Sequence, residues 1–214
     1  MPTTMTMPTS FDARLTPQVL SFEKALNSTP EVPTPAALTE AMLPLLDESR
    51  WLKVNSSSMA DQNACTAMKL ILDRTAARGV SIVFDVNWKP QAWGLEPGSP
   101  PTSEVKRRIQ PLIDAAMLIH CSSADAQILF HSSDPTRIHN SLRKRPAVLI
   151  RGEDGATHWC LAGRSGVVSA DADRPDLLET LLRQLSGRPD LLGGHNPGTK
   201  AIADPAEIRK LFHA

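Results

Sequence analysis

Asp85 and Asn87 stand two positions apart at the end of an apolar run, in the stretch FDVNWKPQAW, residues 84–93. In an extended chain that spacing puts both side chains on one side. The carboxylate accepts hydrogen bonds, and the amide donates as well as accepts. The pair therefore suits a bound ligand or a metal-bound water. It also suits hydrogen bonds to the loop backbone after a strand, a common use of Asp and Asn; the spacing alone leaves both open. Trp88 and Trp93 follow in a chain with only 4% aromatic residues, so half of its four tryptophans crowd beside these polar groups.

A second candidate is the glycine-bounded turn Gly152-Glu153-Asp154-Gly155 after AVLIR. Glycines let a nucleotide base approach the backbone closely, and they equally serve a plain hairpin turn. The histidines, at 120, 131, 139, 158, 195 and 213, show no metal-type spacing such as H-x-x-x-H. His120-Cys121 at a strand end reads as a satisfied edge pair before it reads as half a zinc site. There is no G-x-x-x-x-G-K-[ST], G-x-G-x-x-G or G-x-S-x-G.

The elements that must position these groups alternate along the chain. Residues 1–35 are rich in Pro and Thr and read as an irregular arm, with a helical rhythm only in LTPQVLSFEKAL. From residue 36 a regular alternation begins. The spacing predicts a helix over AALTEAMLPLLDES, bent or restarted at Pro44, then a strand at WLKVNSS. A long helix over 60–78 stops at Gly79, and VSIVFDVN follows as a buried strand. SEVKRRIQPLIDAA is helical with a break at Pro111, AMLIHCS is a strand, and ADAQILF and TRIHNSLRKR are helices. AVLIRG and THWCLAG form a hairpin, VVSA is short, and PDLLETLLRQL and PAEIRKLFHA are helical. Such alternation, with uninterrupted apolar strands, predicts an α/β domain over 36–214 built on a mostly parallel sheet with helices on both faces. Ligands of these sheets bind beyond the carboxyl ends of the strands, where Asn55, Asp85, Ser122 and Gly152 fall.

Composition narrows the function classes. Lys plus Arg equals Asp plus Glu at 23 each, which gives no basic footprint for nucleic acid. No apolar stretch is long enough for a membrane span. MPTTMTMPTS has no apolar core of a secretory signal. Three scattered cysteines (Cys65, Cys121, Cys160) without C-x-x-C pairing fit a reducing compartment, so a cytoplasmic location is expected.

Taken in order, Gly79, FDVNWKPQAW, LIDAAMLIHCSSADAQILF and AVLIRGEDGA resemble the second half of the ribokinase/PfkB family of carbohydrate kinases. The nearest subgroup is fructokinase-like, in which a strand ends in D-x-N followed by W-[RK]-P and a further Trp. The resemblance runs over roughly residues 36–214. It implies a ribokinase-like fold with ATP and magnesium along the C-terminal part of the sheet. It carries Asp85 and Asn87 onto the D-x-N by the nucleotide phosphates, and Gly152 and Gly155 onto the G-x-x-G turn near the nucleotide. Ser122 and Asp125 fall on the family's N-x-x-E, linked to magnesium and phosphate handling, with a shorter carboxylate and a hydroxyl in place of the amide.

Two departures bear on activity. Family kinases carry D-T-T-G-A-G-D before a long helix; its glycine-rich backbone is an anion hole and its last Asp is the base. Transfer needs amide donors at the phosphoryl group and a base in line behind the nucleophile. Here the segment reads SADADRPDLLETLLRQL, with no glycine between Gly166 and Gly187, and Pro175 removes an amide donor. Aligned through the helix, Asp176 lies one position from the expected base. The family's N-terminal lid and sugar site also have no counterpart in residues 1–35. The implied function is a PfkB-like protein related to enzymes that pass phosphate from ATP to a sugar hydroxyl, with that activity impaired or lost. The alternatives are an active fructose-type kinase using Asp176 as base, and a non-catalytic interaction module. Implied ligands are a nucleotide and a sugar, with room for a homodimer or a protein partner.

Overall fold

The computed structural model describes residues 18–27, 34–169, 177–192 and 204–213. Among the described residues, seven strands form one sheet: β1 (Gln18–Ser21), β2 (Ser49–Asn55), β3 (Ser81–Asp85), β4 (Leu118–Ser122), β5 (Ala147–Arg151), β6 (Thr157–Leu161) and β7 (Arg164–Val168). They lie in chain order. β1 to β5 are parallel, and β5, β6 and β7 continue as an antiparallel meander.

Among the described residues, eight α-helices cover the sheet: α1 (Phe22–Asn27), α2 (Pro35–Asp47), α3 (Gln62–Thr75), α4 (Ser103–Ala115), α5 (Ser123–Phe130), α6 (Pro135–Ser141), α7 (Leu177–Gly187) and α8 (Pro205–His213). Parallel strands joined in chain order by crossovers of one hand must place all their connecting helices on one face. That face holds a core of Phe22, Leu38, Met68, Ile109, Ala126 and Ile138, contributed by α1 to α6. It would leave the other face bare. α7 and α8 cover it, setting Leu181, Leu182, Leu185, Ile208 and Phe212 against Trp51, Val83, Leu118, Leu149 and Trp159. Each fully buried Leu contributes about 1.5–3 kcal/mol. A buried polar tie adds direction: Trp51 Nε1 donates to Leu182 O at 3.0 Å and to Ser186 Oγ at 2.8 Å.

Local chemistry explains most boundaries. Thr34, Asp61, Thr102, Ser122 and Asp134 each cap a helix by accepting from a backbone N–H in the first turn. Gly79 ends the α3 region with φ 67°, a conformation that costs other residues steric strain. Three expectations change. The expected helix over LTPQVLSFEKAL is split, because QVLS pairs with β2 before α1 begins, with Val19 and Leu20 packed on opposite faces of the sheet. The sheet thus takes in residues ahead of position 36, and Phe22 is fully buried in its core. Pro44 and Pro111 do not break their helices; α2 and α4 run through them, their buried stripes intact on either side.

Candidate functional site

The carboxyl ends of the parallel strands carry the polar groups. β3 delivers Asp85, and its direct register partner on β4 is His120. His120 Nδ1 lies 2.9 Å from Asp85 Oδ1, and Lys53 Nζ on β2 lies 3.9 Å from Asp85 Oδ2. A carboxylate can only accept, so the imidazole Nδ1 carries the proton and Nε2 is the ring's other polar end. The three side chains share a face because Lys53 pairs with Val83 and His120 lies two positions from Leu118, and both Val83 and Leu118 belong to the core under α7 and α8. Each is partly exposed, at 30% for Lys53 and His120 and 21% for Asp85, so the cluster is open to solvent above an apolar floor.

Asn87 does not extend the strand. β3 ends at Asp85, and Asn87 is exposed with φ 38°, a left-handed turn position that Asn tolerates better than most residues. The two-residue strand period therefore stops short of it. Its carbonyl accepts from Ser56 Oγ at 3.4 Å, which ties the turn to the end of β2. The tryptophans pack the loop that follows: Trp88 Nε1 donates to Ser99 O at 3.0 Å, and the two rings lie 6.3 Å apart. Arg108 sits 6.0 Å over the Trp93 ring and donates to Ala60 O, joining this loop to α4.

Ser122 and Asp125 form one turn of α5. Ser122 Oγ accepts from Asp125 N at 3.0 Å, so the hydroxyl that stands at the family's amide position caps the helix. Burial pushes the Cys121 thiol well above its ordinary range, and the carboxylates of Asp125 and Asp85 add to the shift. Both carboxylates thus act on the same edge of the sheet. Among the described residues no three His, Cys, Asp or Glu side chains gather as a metal site. No described helix is long and apolar enough to cross a membrane. Cys65, Cys121 and Cys160 are free and buried.

Gly152 and Gly155 form the β5–β6 turn. Gly152 N donates to Ala156 O at 2.7 Å, and Gly155 N to Gly152 O at 3.1 Å. A Cβ on Gly152 would meet Asp154 Oδ1 at 2.5 Å, where that oxygen accepts from Ala156 N. Gly155 has φ 79°. Both glycines are therefore demanded by the hairpin itself. The turn opens at the carboxyl end of β5, two strands from Asp85, or about 10 Å at ordinary strand spacing.

Asp176, the candidate base, lies outside the described residues, as does Pro175. In the sequence Lys53 carries no motif signal, and His120 reads only as an edge residue. Only the strand register shows that they meet Asp85. A separate open groove of about 640 Å³ lies between β6, β7 and α8, lined by Trp159, Gly166, Arg164, Arg209 and Phe212. Buried Leu149 stands in register between His120 and Trp159, so groove and cluster are distinct.

No protein-family model and no curated protein matches the chain. Solved structures do match it in fold. Fructokinase from Xylella fastidiosa aligns with a TM-score of 0.59 at 17% identity, over 81% of this chain and 54% of that one. Its structure with bound ATP aligns equally well, at 19% identity over the same shares. A PfkB protein from Polaromonas sp. JS666 gives 0.55 at 18% identity, over 72% and 50% of the two chains. Aminoimidazole riboside kinase from Salmonella enterica gives 0.50 at 20%, over 76% and 52%. The fold is ribokinase/PfkB-like, and the chain spans about half the length of these kinases.

Proposed function

We propose that this chain keeps the nucleotide side of a PfkB-type carbohydrate kinase and carries little or no phosphoryl transfer of its own. The observation that supports the reading is positional. Asp85, Asn87, Asp125, Gly152 and Gly155, spread over the sequence, lie at or just beyond the carboxyl ends of β3, β4 and β5. That edge is where α/β sheets hold ligands, and a neighbour in fold holds ATP.

ATP with magnesium, when bound, supplies a polarised terminal phosphoryl group. The residues of the chain would hold and orient it. Asp125 would take the magnesium, with nucleotide phosphates and water completing its shell, since magnesium ordinarily binds through one or two carboxylates plus phosphate oxygens. The hairpin turn at Gly152 and Gly155 would meet the nucleoside end. Transfer is a different matter. It requires backbone donors around the moving charge and a base in line, and the glycine-free segment with Pro175 ahead of α7 supplies fewer such donors.

Calorimetric titration of the full chain with ATP and magnesium, with and without fructose, tests this. Binding in the micromolar to millimolar range without sugar-dependent ADP release is expected. Absence of any nucleotide heat overturns the nucleotide reading; fructose-dependent ADP release overturns the loss of transfer.

A further inference from the structure

The D-x-N carboxylate is already engaged on both oxygens, Oδ1 with His120 and Oδ2 with Lys53. A phosphate oxygen approaching it would meet a like charge. The flanking basic side chains differ: both are more exposed than Asp85 and border it on the two neighbouring strands. We infer that Lys53 and His120 are the groups that bind the phosphate chain of the ligand, with Asp85 as the positioning residue that holds them. The biological ligand in this inference rests on the nucleotide reading above.

The charge pattern along the edge supports it. β2 contributes Lys53, β3 Asp85 and β4 His120. β5 ends on exposed Arg151, the register partner of Ser122 and two positions beyond Leu149, which places it on the same face. Basic side chains thus stand on three of four consecutive strands beside one carboxylate. In α5, Asp125 adds a carboxylate at the helix start; on α7 the charged residues Glu179 and Arg183 are exposed. A protonated imidazole donates from both nitrogens: Nδ1 to Asp85, and Nε2 to a phosphate oxygen. Lys53 adds a compact charge with rotatable donors. The bland reading is a strand-end ion pair, which contributes little at partial exposure and which anions leave undisturbed.

The test is NMR of the histidine ring signals in the full chain, titrated with inorganic tripolyphosphate, which has neither base nor sugar. A saturable displacement of the His120 signal is expected, assigned by its loss in His120→Gln. Lys53→Met, at a partly exposed site, should keep the melting temperature and weaken binding about tenfold, the loss of one charge-assisted contact. Asp85→Asn should also weaken binding, although Asp85 touches no phosphate. An unmoved His120 signal, unchanged affinity in Lys53→Met, or a gain in affinity in Asp85→Asn overturns the inference. A parallel ATP titration separates the two readings. ATP binding with His120 unmoved leaves the nucleotide reading standing and removes this one. Tripolyphosphate binding without ATP binding does the reverse.

Discussion

Asp85 Oδ1 and His120 Nδ1 face each other at 2.9 Å across directly paired positions of β3 and β4. The contact converts a motif acid into a holder of a neighbouring imidazole, and it sits at the edge where such sheets bind ligands. It also explains why two polar residues can end adjacent apolar strands without leaving a charge unpartnered.

Phosphoryl transfer is the first property to measure. Sugar-dependent ATP turnover is expected to be absent from the wild-type chain, and Asp176→Asn to be indistinguishable from it. Turnover in the wild type that disappears in Asp176→Asn, with the melting temperature unchanged, would establish an active kinase with Asp176 as its base.

The turn at Asn87 separates binding from backbone geometry. With φ 38°, Asn87→Ala should cost about 1–2 kcal/mol of stability through left-handed strain, read by urea unfolding. Asn87→Gly should stay within a few tenths of wild type, since Gly bears no such strain. If the amide meets the nucleotide, Asn87→Gly loses ATP affinity about fivefold at unchanged stability. Equal affinity in both would assign Asn87 to the turn alone.

The β5–β6 hairpin offers a double-mutant test. Gly152→Ala should displace the Asp154 carboxylate and lose its bond to Ala156 N, at about 1 kcal/mol. Once Asp154→Ala has removed that group, Gly152→Ala should cost much less, so the two changes are expected to be non-additive. Additive losses would mean that the glycine serves something other than the hairpin.

α7 is tied to the sheet by Trp51. Trp51→Phe keeps most of the ring volume but removes the indole donor to Leu182 O and Ser186 Oγ. A loss of about 1–2 kcal/mol is expected, with faster hydrogen exchange confined to α7. Exchange that rises evenly over the whole sheet would contradict a local tie.

Cys121 gives a pH dependence with a definite sign. Burial raises its thiol in the folded chain, with Asp125 and Asp85 adding to the shift, so the folded state holds its proton where the unfolded state releases it. The stability contribution is therefore fully present below the unfolded thiol value of about 8.5 and declines as pH rises beyond it. Cys121→Ser should flatten that alkaline decline. Native Cys121 should also resist iodoacetamide at pH 8; rapid labelling without unfolding would refute its burial.

Much of the architecture is legible in the sequence. The β-branched apolar runs IVF at 82–84 and AVLI at 147–150 read as strands covered on both faces, and their successive side chains are buried. Gly79 announces the end of the α3 region by backbone chemistry alone, whereas the caps at Asp61 and Thr102 emerge only in the structure. Misreadings came where local and tertiary signals compete. QVLS looked helical because a short stretch carries little period, and it became a strand because an open edge of β2 was there to pair with it. Pro44 and Pro111 looked like breaks, yet packing of the stripes on both sides kept α2 and α4 continuous.

By itself, then, the sequence determined most of the strands and helices from β2 onward, which polar residues end those strands, and that Gly79 closes a helix. Those properties depend on side-chain period, on φ and on hydrogen bonds a few residues away. The partners of Asp85 were decided by the tertiary structure alone. Lys53 and His120 are separated from it by more than thirty residues on either side, and nothing local sets the distance. The parallel register does, because a shift of one residue would turn each side chain to the opposite face and dissolve the cluster.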